Sequence, residues 1–332
     1  MTPPPVAAAS RRDIGFLMAA AASWGIGTVV SKQAVAEVPP LTLLAFQLAI
    51  SVAFLAVIVR ARRERLPDTR EGRLLGRLGL LNPGLAYALS LIGLTEITAS
   101  LSVLLWAGEP ILILALAAVV LGDRLGPPIL VASLVAVVGL VLVVLDPAAS
   151  GSPLGIGLTV AGVVACAVYS VATRRWLLGS DSTFGVVFAQ ELHALGLAVV
   201  VVAGLGLAGG RVLPEQLTFA GLVSAAVSGL LYYAVAYSFY ISALRSLRVS
   251  IAAASFYLIP LFGLAAAWLA GERLQPIQWL GAAFVVAAVA VITTRSARQD
   301  AVTAPAAPPG AHPSRAASSA QMATTPSEAS RS

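Results

Sequence analysis

The sequence predicts an all-α integral membrane protein, with ten transmembrane helices built as two inverted five-helix repeats. Three observations predict it. The 332 residues are 58% hydrophobic and only 11% charged, whereas about a quarter of the residues of a soluble domain are charged. The apolar residues fall into runs long enough to cross a bilayer core of ~30 Å. One such run, residues 98–125, is answered by a second, residues 249–274. Glu109-Pro110 and Gly122-Asp123-Arg124-Leu125 in the first face Ile259-Pro260 and Gly271-Glu272-Arg273-Leu274 in the second. A shift of 150 residues also lays Gly79 on Gly229, Tyr87 on Tyr237 and Ser100 on Ser250, and becomes 149 after the prolines. Internal repeats of this kind mark many membrane transport folds.

Ten spans are expected, at residues 14–35, 41–60, 74–94, 98–121, 127–145, 154–173, 183–207, 217–242, 249–270 and 277–294. Pro39-Pro40 breaks the chain between the first two. Pro127-Pro128 and Pro276 open the fifth and tenth, where a missing N–H is harmless. Residues 146–153 link the halves and are too few for a folded domain. This divides the chain into a cytoplasmic N-terminal tail (1–13), a first repeat (14–145), a second repeat (154–294) and a cytoplasmic tail (295–332). That last tail is Ala-, Pro- and Ser-rich without an apolar period, and is expected to be disordered.

The charges set an orientation. With the N-terminus inside, eighteen basic residues share the cytoplasmic side and three (Lys32, Arg211 and Arg273) lie outside. This asymmetry is that of the positive-inside rule, and it accounts for the net charge of +6 without nucleic acid. Five spans per half is an odd number, so the halves must insert in opposite senses. Both termini are expected in the cytoplasm of a multi-pass inner-membrane protein. No secretory cleavage site is expected near the N-terminus.

Several motifs together resemble the drug/metabolite transporter superfamily, specifically its EamA-type ten-helix members. Ser23-Trp24-Gly25 with Lys32 is similar to the first-helix signature. The run Cys166-Ala167-Val168-Tyr169-Ser170 through Arg174-Arg175 is similar to its sixth-helix counterpart, with Cys166 where tryptophan is common. The helix-proline-helix-G[DE]RL pattern occurs in both halves. One departure is Gln47, which stands where many members carry arginine, so a substrate role for that arginine is absent here. The resemblance implies a secondary active transporter working by alternating access, with amino acids or related small metabolites as exported substrates and proton coupling as an option. Efflux of drugs or organic cations is the alternative. A small-molecule substrate and the lipid bilayer are the expected partners, in a monomer or homodimer.

Other classes fit poorly. There is no phosphate-binding loop for ATP hydrolysis, no HExxH and no serine–histidine–acid set. A single cysteine excludes a cysteine metal cluster, so neither enzyme activity, cofactor nor metal is expected. A membrane enzyme or receptor would need a catalytic cluster or soluble domain for which the chain has no room.

The candidate substrate or proton-binding residues are Glu109, Glu191, Gln47, Tyr87, Tyr237, Trp24, Trp106 and His193, with helix breaks at Pro110 and Pro260. Glu109 and Glu191 both fall near the middle of their spans, where an ionised side chain costs about 2.5–3.5 kcal/mol on insertion scales. Pro110 cannot donate to the carbonyl of Trp106 and leaves an acceptor beside the Glu109 carboxyl. His193 lies two residues after Glu191, so the two point apart on a helix. The tyrosines and tryptophans suit stacking or cation–π contact, although Tyr240 reads as interfacial. Lys32 is expected to snorkel.

Overall fold

The computed structural model describes residues 10–94, 96–97, 105–106, 108–122, 126–144, 151–177, 182–214, 216–269 and 275–303. Among them the secondary structure is helical apart from one isolated bridge, Ile97 to Gly151. Two helices are unbroken in the first half's opening hairpin, α1 (Arg11–Glu37) and α2 (Pro40–Ala61). The third, α3, runs through four pieces, Arg70–Arg77, Leu78–Leu80, Leu81–Leu85 and Ala86–Leu94. Then come α4 (Glu109–Val120), α5 (Pro127–Val144), α6 (Pro153–Trp176) and α7 (Thr183–Leu207). Helix α8 has the pieces Phe219–Gly229, Leu230–Val235 and Ala236–Leu244; α9 has Val249–Ala254, Ser255–Leu258 and Ile259–Leu269; α10 is Pro276–Thr303. Six of the ten (α1, α2, α3, α6, α7 and α8) are long and apolar enough to cross a membrane, and the other four contain shorter apolar stretches.

Local sequence explains the boundaries. Ser10, Thr69, Ser152, Ser182 and Thr218 each accept a backbone N–H two or three residues on, which satisfies an orphan donor of the first turn. The Ser10 cap starts α1 at Arg11, ahead of the apolar run expected from residue 14. Prolines at the openings of α2, α5, α6 and α10 are tolerated because their missing N–H has no partner there. Gly122 follows α4 with φ 72°, a left-handed value that favours glycine. The rest of that turn, Asp123 to Leu125, lies outside the described residues, as do residues 271–274, Ser100 and residues 304–332. Helix α10 continues past the expected boundary at Thr294 to Thr303, since no proline or glycine interrupts the chain before Pro305.

Packing repeats with the sequence. Helix α2 packs on α7 and α5 on α10, each pair made of repeat mates. Contacts of α1 with α8 and α9 are matched by contacts of α6 with α3 and α4. The winding defects also coincide. Both α3 and α8 widen to π-helix, at Leu81–Leu85 and Leu230–Val235, which the 150-residue shift superposes. In α3 the defect surrounds Asn82, whose extended φ −148°, ψ 126° is the conformation a following proline favours. In α9 a 3₁₀ turn, Ser255–Leu258, precedes Pro260, and α4 begins at Glu109 with Pro110 in its first turn.

The two ends of the bundle differ. At one, the Arg62 guanidinium lies over the Phe184 ring at 4.9 Å, Arg174 Nε donates to Leu247 O at 3.1 Å, and Arg245 donates to Thr183 Oγ1 at 3.1 Å. At the other, Thr218 N and Oγ1 donate to the Glu37 carboxylate at 2.8 and 2.9 Å, and Thr42 donates to Val212 O at 2.7 Å. The loop after α2 therefore sits at the arginine-bearing end and the loop after α7 at the opposite one.

Candidate functional site

The polar interior is organised around Tyr237 on α8. Its ring meets Trp24 of α1 edge-on, with centroids 5.3 Å apart and planes at 88°. It also meets Tyr169 of α6 at 6.2 Å and 77°, and lies parallel to Tyr233 at 6.5 Å. Its hydroxyl accepts a 2.9 Å hydrogen bond from Asn82 Nδ2. That bond ties the defect of α3 to the aromatic wall. On the far side Tyr87 contacts Trp106 at 6.0 Å and Tyr233 at 5.8 Å. Trp24 further packs on Tyr240 and Phe256. Tyr240 is buried rather than interfacial, because α1 and α9 cover it.

Two carboxylates border this cluster. Glu109 is 5% exposed and its carboxyl lies against the Cys166 thiol of α6 and within electrostatic reach of Tyr87. Oε1 of Glu109 is buried without a hydrogen-bond partner. Glu191 on α7 accepts from Ser51 Oγ of α2 through Oε2, while its Oε1 is buried and unpartnered. Tyr169 and Tyr233 lie within its electrostatic reach. A buried polar atom without a partner is costly, so these acceptors stand ready for a donor.

The expected residues separate into three groups. Glu109, Tyr87, Trp106, Trp24 and Tyr237 share one cluster, and Glu191 adjoins it through Tyr169 and Tyr233. Gln47 is buried but its Nε2 is committed to Ser228 Oγ at 2.8 Å and Ser31 Oγ at 3.3 Å. His193 turns away: Nδ1 donates to Ala189 O at 2.6 Å, and the ring borders an open apolar groove with Leu80, Leu192 and Leu197. Pro110 lies in the first turn of α4 and Pro260 just after the 3₁₀ turn of α9, and α1 crosses α9 beside Pro260. A Cβ on Gly25 would fall 2.5 Å from Ile259 O, so only glycine permits that approach.

Asn82, Tyr169, Ser51 and Gln190 were not among the expected residues. Asn82-Pro83 inside an apolar span is a legible signal of a break. Gln190 occupies the eighth position of α7, as Gln47 does in α2. It accepts from Tyr169 Oη at 2.9 Å and donates to Leu75 O at 3.1 Å.

The fold and this interior define a multi-pass helical membrane protein with a polar, aromatic-lined centre between two repeats. The EamA-like transporter family matches the chain over residues 12–145 and 153–294, and the chain belongs to that family, whose members are membrane transporters of small solutes. No curated protein matches it. Of solved structures, one titled "Crystal structure of protein" is similar with a TM-score of 0.74 at 20% identity, covering 86% of this chain and 98% of the other. That likeness establishes a shared fold. Among the described residues no cluster of histidine, cysteine and carboxylates is suited to a metal.

Proposed function

We propose that the protein is a secondary active transporter exporting amino acids or related small metabolites by alternating access, with protons as the coupling ion. Its halves would be inverted repeats in the cytoplasmic membrane, both termini inside, with residues 14–145 and 154–294 rocking about the central site. The observation that carries this reading is Glu109. It is a buried carboxyl with one orphaned oxygen, placed where α4 starts and beside Tyr87 and Trp106, in contact with the other repeat through Cys166. Ile259 occupies the corresponding place in the second repeat, so the scaffold does not require an acid there. A charge at such depth is costly and the neutral form cheap. Protonation would then follow whichever side the cavity opens to. The membrane potential supplies about 2.3 kcal/mol per charge per 100 mV, enough to drive export when one proton is exchanged per cycle.

The alternative substrates, drugs and organic cations, are favoured by the aromatic wall and the two acids. The deciding experiment is uptake and efflux in proteoliposomes with a panel of amino acids and organic cations, with and without a pH gradient. Gradient-driven accumulation of any of them is expected. No flux above empty liposomes for the whole panel would overturn the reading.

A further inference from the structure

We propose that the groove between α3 and α7, at the arginine-bearing end of the bundle, binds one anionic phospholipid, with its phosphate on Arg77 and an acyl chain laid along α7. The inference rests on the membrane-spanning fold and is independent of which solute the protein moves. The groove is open and has a volume of about 500 Å³. Leu80, Leu192, Leu197 and Val200 make its lining apolar, and Gly196 adds no side chain to it. A Cβ on Gly196 would have nothing within 4 Å, so the glycine leaves a hollow in the surface of α7. From His193 to Val200 the lining follows that helix for ~10 Å, the course of a chain running inward from the membrane interface.

The head-group end is marked by His193 and Arg77. A Cβ on Gly76 would lie 3.7 Å from His193 Cε1, so the imidazole stands level with Gly76, the residue before Arg77. Leu80 is one turn deeper. Arg70, Arg73, Arg77 and Leu80 follow at intervals of three and four residues and share one side of α3, and all three arginines are exposed. Arg73 donates to Asp68 O. The guanidinium groups of Arg70 and Arg77 have no hydrogen-bond or ion-pair partner among the described residues. Residues 62–77 hold six arginines against three acids, Glu64, Asp68 and Glu71. Guanidinium matches phosphate in geometry and charge, and basic clusters where a membrane helix meets the interface attract anionic lipid. The other repeat supplies a contrast. In the matching approach of α8 to α2, Val227 stands in place of Arg77, Ile50 of His193 and Ala53 of Gly196. The scaffold therefore needs neither the charge, the imidazole nor the hollow to bring these helices together.

The test is native mass spectrometry of the full chain titrated with dioleoyl phosphatidylglycerol or dioleoyl phosphatidylcholine. One phosphatidylglycerol per chain is expected to bind about tenfold tighter than phosphatidylcholine. Arg77→Gln should remove about fivefold of that preference and leave phosphatidylcholine unchanged. Gly196→Leu, which fills the hollow, should weaken both lipids, whereas Ala53→Leu at the repeat-related place should weaken neither. Glycerol 3-phosphate in large excess should not displace the lipid, because the acyl chain carries part of the binding. Equal affinity for the two lipids, an unchanged preference in Arg77→Gln, unchanged binding in Gly196→Leu or displacement by glycerol 3-phosphate would each overturn the proposal. If a variant does not fold, photo-crosslinking of the wild-type protein with diazirine-labelled phosphatidylglycerol decides. Labelled peptides from α3 and α7 are expected, and labelling spread evenly over the bundle would overturn the site.

Discussion

Gly79 of α3 meets Gln190 of α7 so closely that a Cβ on the glycine would lie 1.7 Å from the glutamine's carbonyl oxygen. The second repeat makes the same crossing with the first: a Cβ on Gly229 of α8 would lie 2.8 Å from Gln47 O. Gly79 and Gly229 are repeat mates, and the two glutamines hold the same place in α2 and α7. Each helix pair thus approaches backbone to backbone at a glycine, the close contact that small residues allow between membrane helices. Gly79→Ala should destabilise the protein by at least the ~1–3 kcal/mol typical of overpacking, and Gly229→Ala by less. Gly15, with nothing within 4 Å of its added Cβ, is the control; Gly15→Ala should be neutral or slightly stabilising. Thermal unfolding in detergent checks the order, and a Gly79→Ala midpoint equal to wild type would refute the crossing.

The glutamine side chains predict a second contrast. Gln190→Leu takes the acceptor from Tyr169 Oη and one of two donors from Leu75 O, and Gln47→Leu removes the amide donor shared by Ser31 and Ser228. A buried orphan costs about 1–3 kcal/mol, so both substitutions should lower stability by that order. His193→Ala loses one bond at a half-exposed site and should cost about 1 kcal/mol or less, with transport retained. Denaturation of the three purified variants measures this; a His193→Ala loss larger than that of Gln190→Leu would show the histidine to be structurally central.

Glu109 and Glu191 should differ in what they couple. Glu109→Gln retains size and hydrogen bonding but removes titration, so pH-driven accumulation should fall to background while substrate exchange survives. Glu191 already accepts from Ser51, and Glu191→Gln should leave part of the driven transport. Flux under an imposed pH gradient, with an exchange assay alongside, gives both numbers. Full driven accumulation by Glu109→Gln would transfer the coupling role to Glu191.

Orientation is open to chemical labelling. With Cys166 replaced, single cysteines at Asp123 and Glu272 should react with an impermeant thiol reagent from opposite sides of the membrane. Reaction of both from one side would contradict inverted insertion.

Truncation after Thr303, where α10 ends, should preserve membrane insertion and transport, because residues 304–332 have no apolar face to bury. Loss of transport in the truncated protein would assign the tail a role.

What the sequence by itself determined was the membrane class and the two-repeat helical fold. These depend on apolar run length and proline position, both of which are local. It also located Glu109, because an acid before proline in an apolar run is exceptional on its own. The tertiary structure decided which polar groups face one another. Gln47 looked like a site residue, yet its amide is taken by Ser228, 181 positions away. Asn82 joins Tyr237 across 155 positions, and Cys166 reaches Glu109 from the other repeat. Such pairings follow from how α3 and α8 widen at their defects and how closely their glycines let α7 and α2 approach. Helical periodicity along one span carries no information about the rotation and depth of its neighbours, so only packing could select them.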